Sequence, residues 1–224
     1  MNEFPFAIVG FDLDGTFLDT SMDLTAAVNH ALADAGRPLL TVEQVKPMIG
    51  GGAKHMLQQG MAATGGCEPD ELERLFHLLL TYYEANISAH SEPFPGAMAA
   101  LDTLDGLGVK VAIVTNKLER FAVKLLSELG LLDRFVTVIG GDTMGPGRAK
   151  PAADPIIEMI ARCGGGRTAF IGDSTFDIMA AKNAGVANVA CSFGFLMQPV
   201  GELDADAVID HYDELIPTLV RIGS

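Results

Sequence analysis

Short apolar runs and runs of helical period take turns along most of this chain. Phe6-Ala7-Ile8-Val9-Gly10 is continuously apolar, as expected of a strand buried on both faces. Val109 to Val114, Phe135 to Ile139, Thr168 to Ile171 and Val186 to Cys191 read the same way, and Ala207 to Ile209 reads as an edge strand. Leu101, Leu104 and Leu107 share a helix face that stops at Gly108; Phe121, Leu125, Leu126 and Leu129 share another that stops at Gly130. Asp154-Pro155 opens a helix carrying Ile156, Ile157 and Ile160, with proline suited to its first turn. Ile178 to Ala184 and Tyr212 to Ile222 complete the helices. Alternation of this kind predicts an α/β fold, a Rossmann-like doubly wound parallel sheet covered on both faces.

The alternation is interrupted once. From residue 18 to 90 the chain reads as helices and loops alone. Thr20-Ser21-Met22-Asp23 has the form of a capping box, followed by Leu24, Ala27, Val28, Ala31, Leu32 and Ala35 at helical spacing and a stop at Gly36. Thr41 to Pro47 predicts a short helix, Ile49-Gly50-Gly51-Gly52 a loop, and Ala53 to Leu57 the start of another helix. Leu72, Leu75, Phe76, Leu79 and Tyr83 mark one more. The economical reading is an inserted α-helical cap domain over 18–90, with 1–17 and 91–224 forming the α/β core domain. In open parallel sheets ligands bind outside the carboxyl ends of the strands, and the cap would sit above them.

Composition narrows the classes of function. The chain has 224 residues, 49% of them hydrophobic, enough for a sizeable core. Lys and Arg number 15 against 29 Asp and Glu, a net charge of −14 that argues against nucleic acid and anionic membranes as partners. Cys67, Cys163 and Cys191 form no CxxC pair and read as reduced thiols of a cytoplasmic protein. Met1-Asn2-Glu3-Phe4-Pro5 lacks the basic start of a leader, and no apolar run reaches the ~18–20 residues of a membrane span.

Candidate chemistry lies just past the strand ends. Asp12 and Asp14 follow the first strand, two residues apart, on the same side of an extended backbone, and Gly15 allows a sharp turn after them. Like charges this close require a cation or a bound substrate, so a metal site or an acid/base pair comes first. Thr115-Asn116-Lys117 follows the second strand, Gly141-Asp142 the third, and Gly172-Asp173-Ser174-Thr175-Phe176-Asp177 the fourth; Lys150-Pro151 precedes the next helix. Singly, Asp173, Asp177 and Thr115 are ordinary helix caps and Lys150 a solvated charge. Jointly they put four acids, a hydroxyl and a lysine at one edge of the sheet. His30, His55, His77, His90 and His211 show no metal spacing, and neither a Ser/His/Asp triad nor a Walker-type phosphate loop is present.

Asp12-Leu13-Asp14-Gly15-Thr16, Thr115, Lys150-Pro151 and Gly172-Asp173 through Asp177 resemble, in order and strand context, the four motifs of the haloacid dehalogenase-like (HAD) superfamily. The resemblance covers essentially the whole chain. It implies a Mg²⁺-dependent phosphomonoester hydrolase working through an aspartyl-phosphate. Asp12 would be the nucleophile and Asp14 the general acid and base, help typically worth roughly 10²–10⁴-fold. The Asp12 carboxylate, the Asp14 backbone carbonyl and Asp173 would hold Mg²⁺, a hard cation that prefers oxygen, with Asp177 nearby through water or Lys150. Thr115, Lys150 and the Asn116 backbone N–H, if Asn116 opens the next helix, would hold the phosphoryl oxygens.

Within the superfamily, Asp14 resembles the second acid of phosphatases and phosphomutases, which dehalogenases lack. Ile49-Gly50-Gly51-Gly52-Ala53, Val114-Thr115-Asn116-Lys117, Ile139-Gly140-Gly141-Asp142 and Ser192-Phe193-Gly194-Phe195 are similar to bacterial phosphoglycolate phosphatases. That likeness implies hydrolysis of 2-phosphoglycolate or another small phosphorylated metabolite, by a monomer or homodimer. Gly51, Gly52, Lys54 and His55 are the cap residues placed to contact substrate; Lys54 is equally read as solvated. The glycine-rich link Thr143 to Ala149 departs from the pattern. Phosphatases of sugar phosphates, nucleotides or pyrophosphate share most of these stretches. A phosphomutase of the β-phosphoglucomutase kind and a non-catalytic binding protein are the alternatives.

Overall fold

The computed structural model describes residues 4–224; Met1 to Glu3, the start of the segment read as lacking a leader, lie outside the described residues. The elements begin with β1 (Ile8–Phe11), β2 (Leu18–Asp19), α1 (Ser21–Asp34), α2 (Val42–Val45), α3 (Ala53–Ala63), α4 (Pro69–Ala85) and β3 (Glu92–Pro93). They continue with α5 (Ala97–Gly106), β4 (Lys110–Val114), α6 (Glu119–Glu128), β5 (Val138–Ile139) and α7 (Asp154–Arg162). β6 (Thr168–Gly172), α8 (Thr175–Asn183), β7 (Ala187–Cys191), β8 (Ala207–Ile209) and α9 (Leu215–Gly223) complete the chain.

Six strands form one parallel sheet in the order β5-β4-β1-β6-β7-β8. Successive side chains on a strand point to opposite faces, and here both faces are buried. Val9, Phe11, Val111, Ile113, Ala169 and Ile171 join one core with Leu101, Leu104, Leu125 and Leu219. Ile8, Ala112, Val114 and Phe170 join the other with Ile156, Met159, Ala180 and Ala181. Phe11 is in register with Ile113 and with Ile171, so β4, β1 and β6 end at one level and the residues after them converge.

The segment between β2 and β3 carries the helices α1 to α4, and its apolar faces do not form a separate core. Leu24, Val28, Leu75, Leu79 and Tyr83 belong to the same cluster as Phe11, Leu13, Phe17 and Phe121 of the sheet side. The segment is not helical throughout, contrary to the sequence reading. Leu18 and Asp19 pair antiparallel with Pro93 and Glu92, because the chain's exit and return run side by side and satisfy each other's backbone groups.

The capping box expected at Thr20 to Asp23 is absent, and the reason is instructive. Thr20 precedes α1 without a side-chain cap; its hydroxyl donates to Asp14 Oδ1 at 2.7 Å. Asp23 instead accepts the backbone N–H groups of His90 and Ser91 at 3.0 and 2.9 Å and the Ser91 hydroxyl at 2.7 Å. This buried carboxylate clamps the start of the helical segment to its end. Asp23→Ala should therefore cost about 2–4 kcal/mol, since it leaves buried donors unmatched. Urea unfolding checks this; a loss below about 0.5 kcal/mol, the size of an ordinary surface change, would show that the clamp contributes little.

Candidate active site

The loop after β1 is built to hold two acids apart from the core beneath them. Leu13 is fully buried in the apolar cluster while Asp12 and Asp14, on either side of it, face the sheet edge. The Leu13 carbonyl accepts from the N–H groups of Phe17 and Leu18 at 3.0 and 2.9 Å, and Gly15 N–H donates to the Leu18 carbonyl at 2.9 Å. Gly15 has φ of 87°, and a Cβ there would stand 2.4 Å from Asp173 Oδ2. Across the site, a Cβ on Gly194 would come within 2.3 Å of the Asp173 Cβ. Asp173 is thus wedged between two glycine backbones, accepting from Thr16 Oγ1 at 2.9 Å and from the Phe195 N–H at 2.6 Å. Tyr212 braces the loop from the 3₁₀ turn just before α9, its hydroxyl donating to the Thr16 carbonyl at 2.7 Å.

Lys150 reaches into this group from the loop before α7. Its ammonium donates to Asp12 Oδ1 at 2.7 Å, Asp177 Oδ1 at 2.5 Å and the Val114 carbonyl at 2.9 Å, using all three of its N–H bonds. Burial works against its charge, but Asp12 and Asp177 outweigh burial and hold it above the usual lysine value. Asp177 Oδ2 accepts from the Ser174 N–H at 3.0 Å and the Ser174 hydroxyl at 2.5 Å in a capping box that opens α8. Asp177 is therefore a helix cap and a Lys150 anchor at once.

The charges do not balance within the protein. Asp12, Asp14, Asp173 and Asp177 are buried carboxylates facing two buried ammoniums, Lys150 and Lys117, which leaves two negative charges uncompensated. Burial, against the pull of Lys150, pushes the Asp12 carboxyl up to about 7. Burial, Asp177 and Asp12 push Asp173 well above the usual carboxylate range. Asp12, Asp173 and Asp177 each offer an oxygen within 4.8 Å of the others. Oxygen donors and two missing positive charges fit a hard divalent cation. Asp177 accepts three hydrogen bonds, Asp173 one on each oxygen and Asp12 only that of Lys150 on Oδ1, so Asp12 and then Asp173 have the freer lone pairs. The Asp14 carbonyl, which accepts no hydrogen bond among the described residues, is a further donor.

The loop after β4 supplies a second group. Thr115 is buried, and its hydroxyl accepts from the Lys117 N–H at 3.2 Å. Asn116 does not open a helix: α6 starts at Glu119, whose N–H is capped by Asp142 Oδ1 at 2.8 Å from the loop after β5. Asn116 acts through its side chain instead, whose amide N–H₂ donates to the Gly50 carbonyl at 2.9 Å and the Lys150 carbonyl at 3.1 Å. It ties the glycine loop of the helical segment to the lysine of the core. Lys117, quoted in the sequence only as part of its stretch, donates to Asp14 Oδ1 and Oδ2 at 2.8 and 2.9 Å. Burial opposes its charge too, but Asp14 prevails and holds it above the usual lysine value. The spacing Thr115-x-Lys117 was the available signal, since alternate residues of an extended chain share a side.

A cavity of about 40 Å³ lies between these loops and the helical segment, room for roughly three water-sized spheres. Asp12, Asp14, Thr115, Asn116 and Lys117 line its floor; Leu24, Ile49, Gly50, Gly52, Met56, Leu79 and Tyr83 line its roof. An open crevice of about 270 Å³ adjoins it, sharing Gly52 and Asn116, with Gly51, Lys54 and Lys150 on its walls. Lys54 is half-exposed and bonds Glu73 Oε2 at 2.5 Å, and His55 sets its ring edge-on against Phe176. Of the expected cap residues, Gly51, Gly52 and Lys54 line cavity or crevice and His55 borders neither.

The model of the haloacid dehalogenase-like hydrolase family matches residues 9–191, and the chain belongs to that family. A protein named phosphoglycolate phosphatase from Agrobacterium fabrum is 38% identical over 218 residues, covering 96% of this chain and 92% of its own length. A second so named, from Caulobacter vibrioides, is 39% identical over 209 residues, covering 92% and 87%. The crystal structure of a predicted phosphoglycolate phosphatase from Haemophilus somnus superposes with a TM-score of 0.89 at 27% identity, over 97% of this chain and 99% of that one. No helix among the described residues is long and apolar enough to cross a membrane.

Proposed function

We propose that the protein is a Mg²⁺-dependent phosphatase of small phosphomonoesters, with 2-phosphoglycolate as its substrate, and that residues 18–90 act as the cap of a core formed by the rest. The observation that carries this reading is the buried meeting of Asp12, Asp14, Lys150 and Asp173 at the ends of β1, β4 and β6. The relatives' names supply the substrate. An Asp12 carboxylate oxygen attacks phosphorus as the bond to the glycolate oxygen breaks, and Asp14 gives that oxygen a proton. Asp14 then takes a proton from the water that attacks the aspartyl-phosphate, releasing phosphate and restoring Asp12. Lys150 keeps Asp12 aimed, while the Thr115 hydroxyl, which accepts from the Lys117 N–H and still has its own O–H to give, holds a phosphoryl oxygen. Asp12, Asp173 and the Asp14 carbonyl would hold Mg²⁺, which would supply the positive charge that lets an anionic carboxylate approach an anionic phosphate.

The assay is phosphate release from 2-phosphoglycolate, glucose 6-phosphate, AMP and pyrophosphate, with Mg²⁺ or with chelator. Preferred release from 2-phosphoglycolate, lost in chelator, is the expected result; preference for another of these four compounds would reassign the substrate. Binding of the cation has its own signature. Asp12 and Asp173 have raised values in the folded chain, so without a cation both contribute stability below about pH 4 that is lost as the pH rises above it, the Asp12 share by about pH 7. A divalent cation reverses that loss. The rise in Tm on adding Mg²⁺ should grow from about pH 5 to about pH 8, reaching roughly 5–10 °C at a hundredfold excess over Kd. A Tm indifferent to Mg²⁺ at the upper pH would remove the cation from this site.

A further inference from the structure

Tyr83 is fully buried on α4, lines the inner cavity, and its hydroxyl has no hydrogen-bond partner among the described residues. A buried unmatched hydroxyl is destabilising, so one that faces a cavity marks a place where a ligand group is expected. Burial pushes its ionisation up to about 12, so it is a donor at neutral pH. Lys117 Nζ lies 4.7 Å from the centre of the Tyr83 ring. Its bonds to the two Asp14 oxygens use two of three N–H bonds; the third lies on the side of the Tyr83 hydroxyl, near enough for the two groups to interact without a formed hydrogen bond between them. Lys117 is the cation among the residues lining this cavity, and the roof opposite it is otherwise aliphatic: Leu24, Ile49, Met56 and Leu79.

From this we infer that Lys117 and Tyr83 are the specificity-determining pair of the site, receiving the carboxylate of the substrate's leaving group. The inference rests on the phosphoglycolate reading above. A phosphoryl group against Asp12 puts its ester oxygen toward Asp14 and the next atoms toward Lys117. A carboxylate there meets one ammonium N–H and one phenol O–H, the two donors the wall provides. A sugar with several hydroxyl groups would press most of them against leucine, isoleucine and methionine and leave them unmatched. Lys54, the lysine of α3 beside the glycine loop, is committed to Glu73 outside this cavity.

Ethyl phosphate separates recognition from chemistry, because it is 2-phosphoglycolate with a methyl group in place of the carboxylate. The reading is the ratio of kcat/KM for the two esters, in wild type, Tyr83→Phe and Lys117→Met. Wild type should favour 2-phosphoglycolate strongly. Tyr83→Phe should lower the ratio about tenfold and Lys117→Met about a hundredfold, largely through KM for 2-phosphoglycolate, as expected for lost hydrogen bonds to a charged group. Lys117→Met also frees Asp14, so its absolute rates fall on both esters; Tyr83→Phe leaves that ion pair in place and carries the test if the lysine variant unfolds. Equal losses on both esters in both variants would overturn the inference and leave Lys117 as a support for Asp14 alone. A wild-type ratio near one would overturn the substrate assignment itself, whatever the variants do.

Discussion

Asp12→Asn should abolish turnover, by at least roughly 10⁴-fold in kcat, while leaving the fold intact. The amide has the shape of the carboxylate, so the loop, the Lys150 contact and the packing over Leu13 have no steric reason to change. What disappears is a negative oxygen, and with it both the nucleophile and a ligand for the cation. Stability gives an internal control. Asp12 belongs to a group of four buried carboxylates that Lys150 and Lys117 compensate only in part, and its ionisation is raised by burial and by Asp177 against the pull of Lys150. Removing it lowers that repulsion, so in chelator the variant should melt no lower than wild type at about pH 8, while its response to Mg²⁺ shrinks. Acid quenching during turnover should trap phosphate on the wild-type protein, at Asp12 by peptide mass, and none on the variant. Turnover retained above a few per cent would falsify the covalent route and leave Asp12 only as a ligand.

Strand ends and helix faces were legible because they are local. The alternate burial of Ile8, Val9, Ala112 and Ile113 follows from apolar runs read against a two-sided sheet, and once those strands are parallel their carboxyl ends must meet. Asp12, Asp14, Asp173 and Lys150 therefore announce themselves by position. What the sequence hid is pairing over distance. Thr20 and Asp23 have the spacing of a capping box, but the buried Asp14 and Ser91 claim their side chains, and the first N–H of the helix, that of Ser21, goes to Asp19 instead. Lys117 and Asp14 are 103 residues apart, and nothing local says that this lysine turns inward. Tyr83 looks like one more apolar residue on a helix face; only the cavity beside it shows that its hydroxyl is left over. Lys54 has the opposite history, a charge beside a glycine loop whose partner, Glu73, sits one helix away in the same segment. Short-range pattern thus fixes the backbone scaffold and the residues at its edges, whereas charge compensation belongs to the assembled site.

Lys150→Met tests that compensation directly and should lower kcat/KM by roughly 10³-fold, the scale of removing a preorganised charge from a dry site. Methionine keeps the length and most of the packing of the stem, so the loss is electrostatic rather than steric. Three acceptors lose their donor together: Asp12 Oδ1, Asp177 Oδ1 and the Val114 carbonyl. Lys150 is the main influence holding the Asp12 ionisation down against burial. Without it that ionisation moves further up, so less of the nucleophile is charged at neutral pH. The acid limb of the kcat/KM profile should therefore shift to higher pH, and part of the lost rate should return as the pH is raised. Higher Mg²⁺ should recover a further part, since the cation can stand in for the missing charge near Asp12 but cannot reach Asp177 and the Val114 carbonyl at once. Melting in Mg²⁺ separates this from simple damage. A folded variant with an unshifted acid limb would mean that Lys150 holds phosphoryl oxygens without governing the charge of Asp12, and a variant folded and fully active would remove it from the site.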